Sequence, residues 1–182
     1  MRRHCLLLLL LLMPLCAVAE PAESEKGFGV AVNSGLNGEV YPRRLIVTGL
    51  YYRGNSQFEL GFGFHPFIRT DQTIVSGDFN YKLFPNGITS KFNMYLLGNL
   101  SFINNTRQTF YPTTYNYLFL NGGYGFEVIA IAGAYLDTNV SFGGFTYSKT
   151  SENPASSYLD ADRMFVEFGT NIALQFNIGY RF

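Results

Sequence analysis

The chain has 182 residues, with 13 basic and 13 acidic side chains, 47% apolar and 17% aromatic residues, 19 glycines and two cysteines. So even a charge balance excludes the broad basic footprint of a nucleic-acid binder. The length suits one domain after removal of a leader.

Arg2, Arg3 and His4 precede the leucine run Leu6 to Leu12, and Ala17-Val18-Ala19 follows as a small-x-small site. This pattern predicts a secretory signal peptide over 1–19, cleaved before Glu20, with an apolar core too short to span a membrane as a helix. A lipoprotein reading through Cys16 is opposed by Leu15, which is bulky where that signal wants a small residue. Cys5 and Cys16 both leave with the leader, so neither a disulfide framework nor thiol chemistry is expected. Loss of Arg2 and Arg3 leaves 11 basic against 13 acidic residues, a net charge of −2.

No mature segment reads as a transmembrane helix, because Gly, Asn or charge breaks every apolar run. The alternation of apolar and polar residues instead predicts about eight strands. The first, 27–33, sets Phe28, Val30 and Val32 against Gly27, Gly29 and Ala31. The second, 44–53, is apolar on both faces. The third, 57–67, opposes Phe58, Leu60, Phe62 and Phe64 to Glu59, Gly61, Gly63 and His65. The fourth, 73–84, opposes Val75, Phe79, Tyr81 and Leu83 to Ser76, Asp78, Asn80 and Lys82. In the fifth, 91–103, Phe92, Met94, Leu96, Leu100 and Phe102 oppose Lys91, Asn93, Asn99 and Ser101. The sixth, 115–127, places Leu118, Leu120, Tyr124 and Phe126 opposite Asn121, Gly123, Gly125 and Glu127. The seventh, 133–147, places Leu136, Val140 and Phe142 opposite Asp137, Asn139, Ser141 and Gly143. The eighth, 164–182, alternates almost without a break to Phe182.

Tight turns at 54–56, 85–87 and 128–132 alternate with longer connections at 34–43, 68–72, 104–114 and 148–162. A two-residue turn at Asn86-Gly87 would pair Leu83 with Ser90 and Tyr81 with Phe92. Strict short-long alternation over an even number of strands is the pattern of an all-β, antiparallel, up-and-down transmembrane barrel, apolar toward lipid and polar toward its lumen. A soluble lipocalin-like barrel with inverted faces is the competing reading.

The ending Phe176-Asn177-Ile178-Gly179-Tyr180-Arg181-Phe182 resembles the C-terminal signature of bacterial outer-membrane β-barrels. Length and strand count resemble the small OmpX/OmpA-type eight-stranded barrels. The resemblance implies an outer-membrane location and contact with lipid and lipopolysaccharide. It also implies recognition of Phe176, Ile178, Tyr180 and Phe182 by the barrel-assembly machinery. On this reading 20–26 is a short periplasmic segment and 27–182 the barrel.

An eight-stranded barrel is only wide enough for side chains to fill. Glu59, Lys82, Lys91, Glu127 and Arg181 are expected inside, near the periplasmic strand ends, as a paired network of mixed sign. His65 is the only mature histidine, and Ser76 and Asp78 lie inward on the next strand. This set does not match the motifs of lipid A-modifying barrel enzymes, so no catalytic residue is expected. Neither metal-ligand spacing nor a phosphate loop is present, and no cofactor or nucleic-acid partner is expected. Phe110, Tyr111, Tyr115 and Tyr117 are expected in an outer aromatic girdle, with Tyr51, Tyr81, Tyr180 and Phe182 near the inner one. The expected function is structural or surface-interacting, through external loops that could take an extracellular ligand. A narrow channel and an outer-leaflet lipid enzyme are the alternatives.

Overall fold

A computed structural model describes residues 25–38, 44–65, 71–108, 110–131, 133–151 and 167–182. The expected signal peptide and its cleavage site lie outside these residues. The described elements are all strands: β1 (Lys26–Asn37), β2 (Arg44–Arg53), β3 (Ser56–Phe64), β4 (Gln72–Leu83), β5 (Phe92–Arg107), β6 (Thr113–Ile131), β7 (Ala134–Ser151) and β8 (Glu167–Arg181). Each pairs antiparallel with the next, and β8 pairs with β1, so the sheet closes into a barrel. Both ends of the described chain, Glu25 and Phe182, and the turns β2–β3, β4–β5 and β6–β7 share one end, here the terminus end.

The faces are those of a lipid-facing barrel. Leu60 is 72% exposed and Ile178 67%, whereas Lys82 and Glu127 are wholly buried. This orientation excludes the lipocalin-like inversion, because a water-soluble barrel turns its apolar face inward. Along β5 the outward apolar run extends from Phe92 to Phe102. At about 3.3 Å per residue and a tilt of about 40°, that run rises about 25 Å, the height of a bilayer's apolar band. Outward aromatics crowd the terminus end: Phe28 lies 5.3 Å from Tyr51, Phe58 lies 5.1 Å from Tyr81, and Tyr180 lies 6.2 Å from Phe182, measured between ring centroids.

Two expectations about strand limits fail for one reason each. The β4–β5 register pairs Leu83 with Leu96 and Tyr81 with Gly98, not with Ser90 and Phe92. The connection is longer because Phe84 and Ile88 turn inward and are buried with Tyr95 and Leu97. Gly87, at φ +81°, donates its N–H to the Phe84 carbonyl and closes a turn with Pro85 at its second position. Lys91 therefore falls in this connection, exposed, and is not part of the lumen.

The connection expected at 104–114 is instead mostly strand, as β5 runs to Arg107 and β6 starts at Thr113. Its outward side chains are polar and pair across the strands: Asn104 Nδ2 donates to Asn116 Oδ1 at 2.7 Å, and the hydroxyls of Thr106 and Thr114 lie 3.1 Å apart. Strand pairing thus continues after the apolar alternation ends. Tyr115 and Tyr117 correspondingly face inward rather than joining an outer girdle.

Most inward glycines accommodate a side chain from the neighbouring strand; a Cβ on Gly125 would strike the ring of Tyr95, its cross-strand partner, for example. Gly123 and Gly143 differ. A Cβ on Gly123 would strike the Val140 carbonyl and Ser141 Cα, and one on Gly143 the Leu120 carbonyl and Asn121 Cα. Backbone cannot yield as a flexible side chain can, so β6 and β7 tolerate only glycine at these points. Gly143→Ala and Gly123→Ala are expected to destabilise the folded barrel by about 1–3 kcal/mol. Outward Gly98, with nothing within 4 Å of its ideal Cβ, should accept alanine without loss. Urea unfolding in detergent, read by gel mobility before and after boiling, checks both.

Candidate functional site

The lumen is filled in three zones. Nearest the terminus end is an ionic network on inward positions of β3, β4, β6, β7 and β8. Arg181 donates to both oxygens of Glu127, at 2.8 and 2.5 Å, and to Gln57 Oε1 at 3.0 Å through Nε and 2.7 Å through Nη2. Gln57 Nε2 passes the contact on to Glu59 Oε1 at 2.6 Å. Lys82 Nζ lies between two carboxylates, 2.6 Å from Glu59 Oε1 and 2.7 Å from Asp137 Oδ2. Tyr95 and Asn177 donate to the other Asp137 oxygen, and Asn80 donates to Glu59 Oε2 at 3.0 Å. The cations also lie against aromatic rings, Arg181 over Tyr135 at 4.4 Å and Lys82 near Tyr95 at 5.0 Å.

Above it runs a chain of amides. Asn99 donates to Asn80 at 2.7 Å, Asn121 to Asn99 at 3.1 Å, and Asn171 to Asn121 at 3.3 Å. At a similar depth Asp78 accepts from Ser76 (2.8 Å), Ser101 (2.6 Å) and Arg44 (3.3 Å). The far end is aromatic. Ile74, Ile103, Tyr117 and Phe119 form a buried cluster, with Tyr115, Phe145 and Tyr147 packed against it. The stacked Tyr117 and Phe119 rings are 5.8 Å apart, and Phe145 lies 5.4 Å from Phe119.

Of the residues expected in the lumen, Glu59, Lys82, Glu127 and Arg181 converge in one network, and Lys91 stays outside it. Sequence reasoning did not include Asp137, Tyr95 or Gln57 in that network, nor the second ion pair of Arg44 and Asp78. The parity of β7 does mark Asp137 as inward, but its pairing with Lys82 depends on closure across the barrel, 55 residues apart in sequence. Arg44 lies on the one strand with two apolar faces. His65 sits half-buried just past β3, while the Ser76 hydroxyl is given to Asp78. Among the described residues no three His, Cys, Asp or Glu side chains group as metal ligands.

A buried ion pair costs desolvation, and removing one partner is worse than removing both. Lys82→Met is therefore expected to destabilise the barrel by about 3–5 kcal/mol, with partial recovery in the Glu59→Gln/Lys82→Met double variant. Lys91→Ala should change stability by less than about 0.5 kcal/mol, as befits an exposed side chain. Equilibrium unfolding of the refolded variants distinguishes these outcomes.

No protein-family model matches the chain. No curated protein matches it. Solved structures do. The N-terminal β-barrel domain of Pseudomonas aeruginosa OprF superimposes with a TM-score of 0.57 at 10% identity, over 88% of this chain and 100% of that one. Neisserial surface protein A, NspA, gives a TM-score of 0.53 at 9% identity, again over 88% of this chain and 100% of that one. At such identities the likeness is one of architecture, that of a closed, antiparallel eight-stranded β-barrel.

Proposed function

We propose that this chain is an integral outer-membrane barrel, non-enzymatic, with a closed interior and a structural or surface-interaction role. The observation that carries the reading is the threefold filling of the lumen by ion pairs, amides and aromatic rings. Side chains that hydrogen-bond to one another across the barrel leave little room for a continuous column of water. Activity then belongs to the ends and the outer face. The leader-like N-terminus and the apolar belt support export to the outer membrane, with the terminus end toward the periplasm and lipid and lipopolysaccharide as surroundings. The connections at the far end, including the 91%-exposed Phe110 and its edge-on neighbour Tyr111, are the surfaces offered to an extracellular ligand.

Phe176, Ile178, Tyr180 and Phe182 all face outward and are exposed. We assign them as the strip met by the assembly machinery. Phe182→Asp should sharply reduce heat-modifiable barrel in cells while allowing refolding in detergent. Equal cellular amounts of variant and wild type would remove that role.

In planar bilayers the purified protein should show little conductance, and solute uptake by cells should not depend on it. Reproducible single-channel currents that shift on Lys82→Gln or Glu127→Gln would establish the channel instead. Recovery of the wild-type chain as a soluble periplasmic monomer would end the membrane reading altogether.

A further inference from the structure

The outer wall carries a distinct feature at the terminus-side edge of the apolar belt. The apolar outward runs of β1 and β2 end at Phe28 and Tyr51, whose ring centroids lie 5.3 Å apart. One outward position further, Lys26 and Arg53 stand directly opposite each other, and both are exposed. Arg53 in turn faces Ser56 across the turn Gly54-Asn55, and the Ser56 hydroxyl lies 3.1 Å from that of Tyr81 on β4. Two cations and two hydroxyls thus form one contiguous strip across β1 to β4, on the lipid-facing side.

Like charges on directly opposite positions, with Cβ atoms about 5 Å apart, repel and weaken a strand pair. Among the described residues nothing neutralises these two, because the ion pairs all lie in the lumen and none includes Lys26 or Arg53. The strip is nonetheless held in place. Gly54, at φ +57°, donates its N–H to the Glu25 carbonyl, so pairing of β1 with β2 extends into the turn and fixes both cations on the wall.

Its height selects what can compensate it. Two residues along a tilted strand carry the cations about 5 Å past the last rings, into the headgroup layer. The anion met at that depth is a lipid phosphate. A guanidinium can take two phosphate oxygens at once, the lysine adds a point charge, and the serine hydroxyl can donate to a third oxygen. The rings of Phe28 and Tyr51 then lie beside the first methylenes of the acyl chains, as interfacial aromatics do.

We propose that this strip binds an anionic glycerophospholipid of the periplasmic leaflet, its phosphate held by Lys26, Arg53 and Ser56 and its chains lying over Phe28 and Tyr51. The inference rests on the outer-membrane reading, with the terminus end toward the periplasm, and adds to it one lipid at one place on the wall. Phosphatidylcholine offers the same phosphate but brings a quaternary ammonium that the two cations repel. The site therefore discriminates by headgroup charge.

The test is native mass spectrometry of the mature chain, refolded in nonionic detergent and titrated at fixed ionic strength with dioleoyl phosphatidylglycerol or dioleoyl phosphatidylcholine. Gel mobility before and after boiling first establishes that the barrel has formed. Phosphatidylglycerol should bind about tenfold more tightly than phosphatidylcholine. Lys26→Gln and Arg53→Gln alter exposed side chains and should fold as wild type does. Each should lower the affinity for phosphatidylglycerol about fivefold, and the double variant should bind the two lipids alike. Lys91→Gln neutralises an exposed cation off the strip and should leave the preference intact. Equal affinity of wild type for both lipids overturns the proposal. So does an equal loss in Lys91→Gln, which would make the effect one of net charge. Displacement of the lipid by inorganic phosphate at the same concentration, or tighter binding of purified lipid A, also overturns it, by assigning the strip to a free anion or to the other leaflet. A chain that forms no heat-modifiable barrel ends the membrane reading itself, whereas a folded barrel without lipid preference ends only this one.

Discussion

Closure of β8 onto β1 is the constraint on which the rest of the molecule depends. In an apolar bilayer each backbone N–H and C=O must find a partner within the protein, and a closed sheet provides one without leaving an edge. Eight strands fix the bore, and the bore decides what can stand inside it. The interior is therefore a core assembled from polar parts. Lys82 is its pivot: its three donors and one charge hold Glu59 on β3 and Asp137 on β7 toward the same point from opposite walls. Arg181 does the same for Gln57 on β3 and Glu127 on β6. The network braces the cylinder across its diameter, where no backbone hydrogen bond can act.

The two faces obey different rules, and that difference governs how much of the fold could be read from the chain. Outward residues answer only to lipid, so Phe92, Met94, Leu96, Leu100 and Phe102 display β5 plainly. Inward residues answer to partners that are remote in sequence. The parity of Glu59, Lys82, Glu127 and Arg181 could be read locally, but the convergence of Lys82 with Asp137 required the closed sheet. Lys91 illustrates the limit: alternation extended one residue too far assigned it to the lumen. What displaced it was the inward packing of Phe84 and Ile88, which lengthened the turn. A short-turn rule based on Asn86-Gly87 carries no information about that packing.

The far end shows the complementary error. Hydropathic alternation reports where lipid stops, not where pairing stops. Beyond Phe102 the outward positions become Asn104 and Thr106, facing Asn116 and Thr114, and the ladder continues unbroken. Inside, the change runs the other way, from amides to rings, because the lumen residues there pack against one another. Tyr115 and Tyr117 look like girdle residues to a composition-based reading, yet odd-numbered positions of β6 face inward as far as the irregularity between Ile129 and Ile131.

The continuation of β5 and β6 past the apolar belt has a consequence for recognition. Arg107 lies five residues beyond Phe102, which raises the strand pair about 13 Å clear of the hydrocarbon at the usual tilt. The hairpin that carries Phe110 and Tyr111 is thus a mast stepped into the barrel wall, with its height and bearing set by the same register that crosses the membrane. Capture of an ordinary surface loop is weakened by the freedom the loop gives up on binding. Here much of that freedom is already gone before any partner arrives.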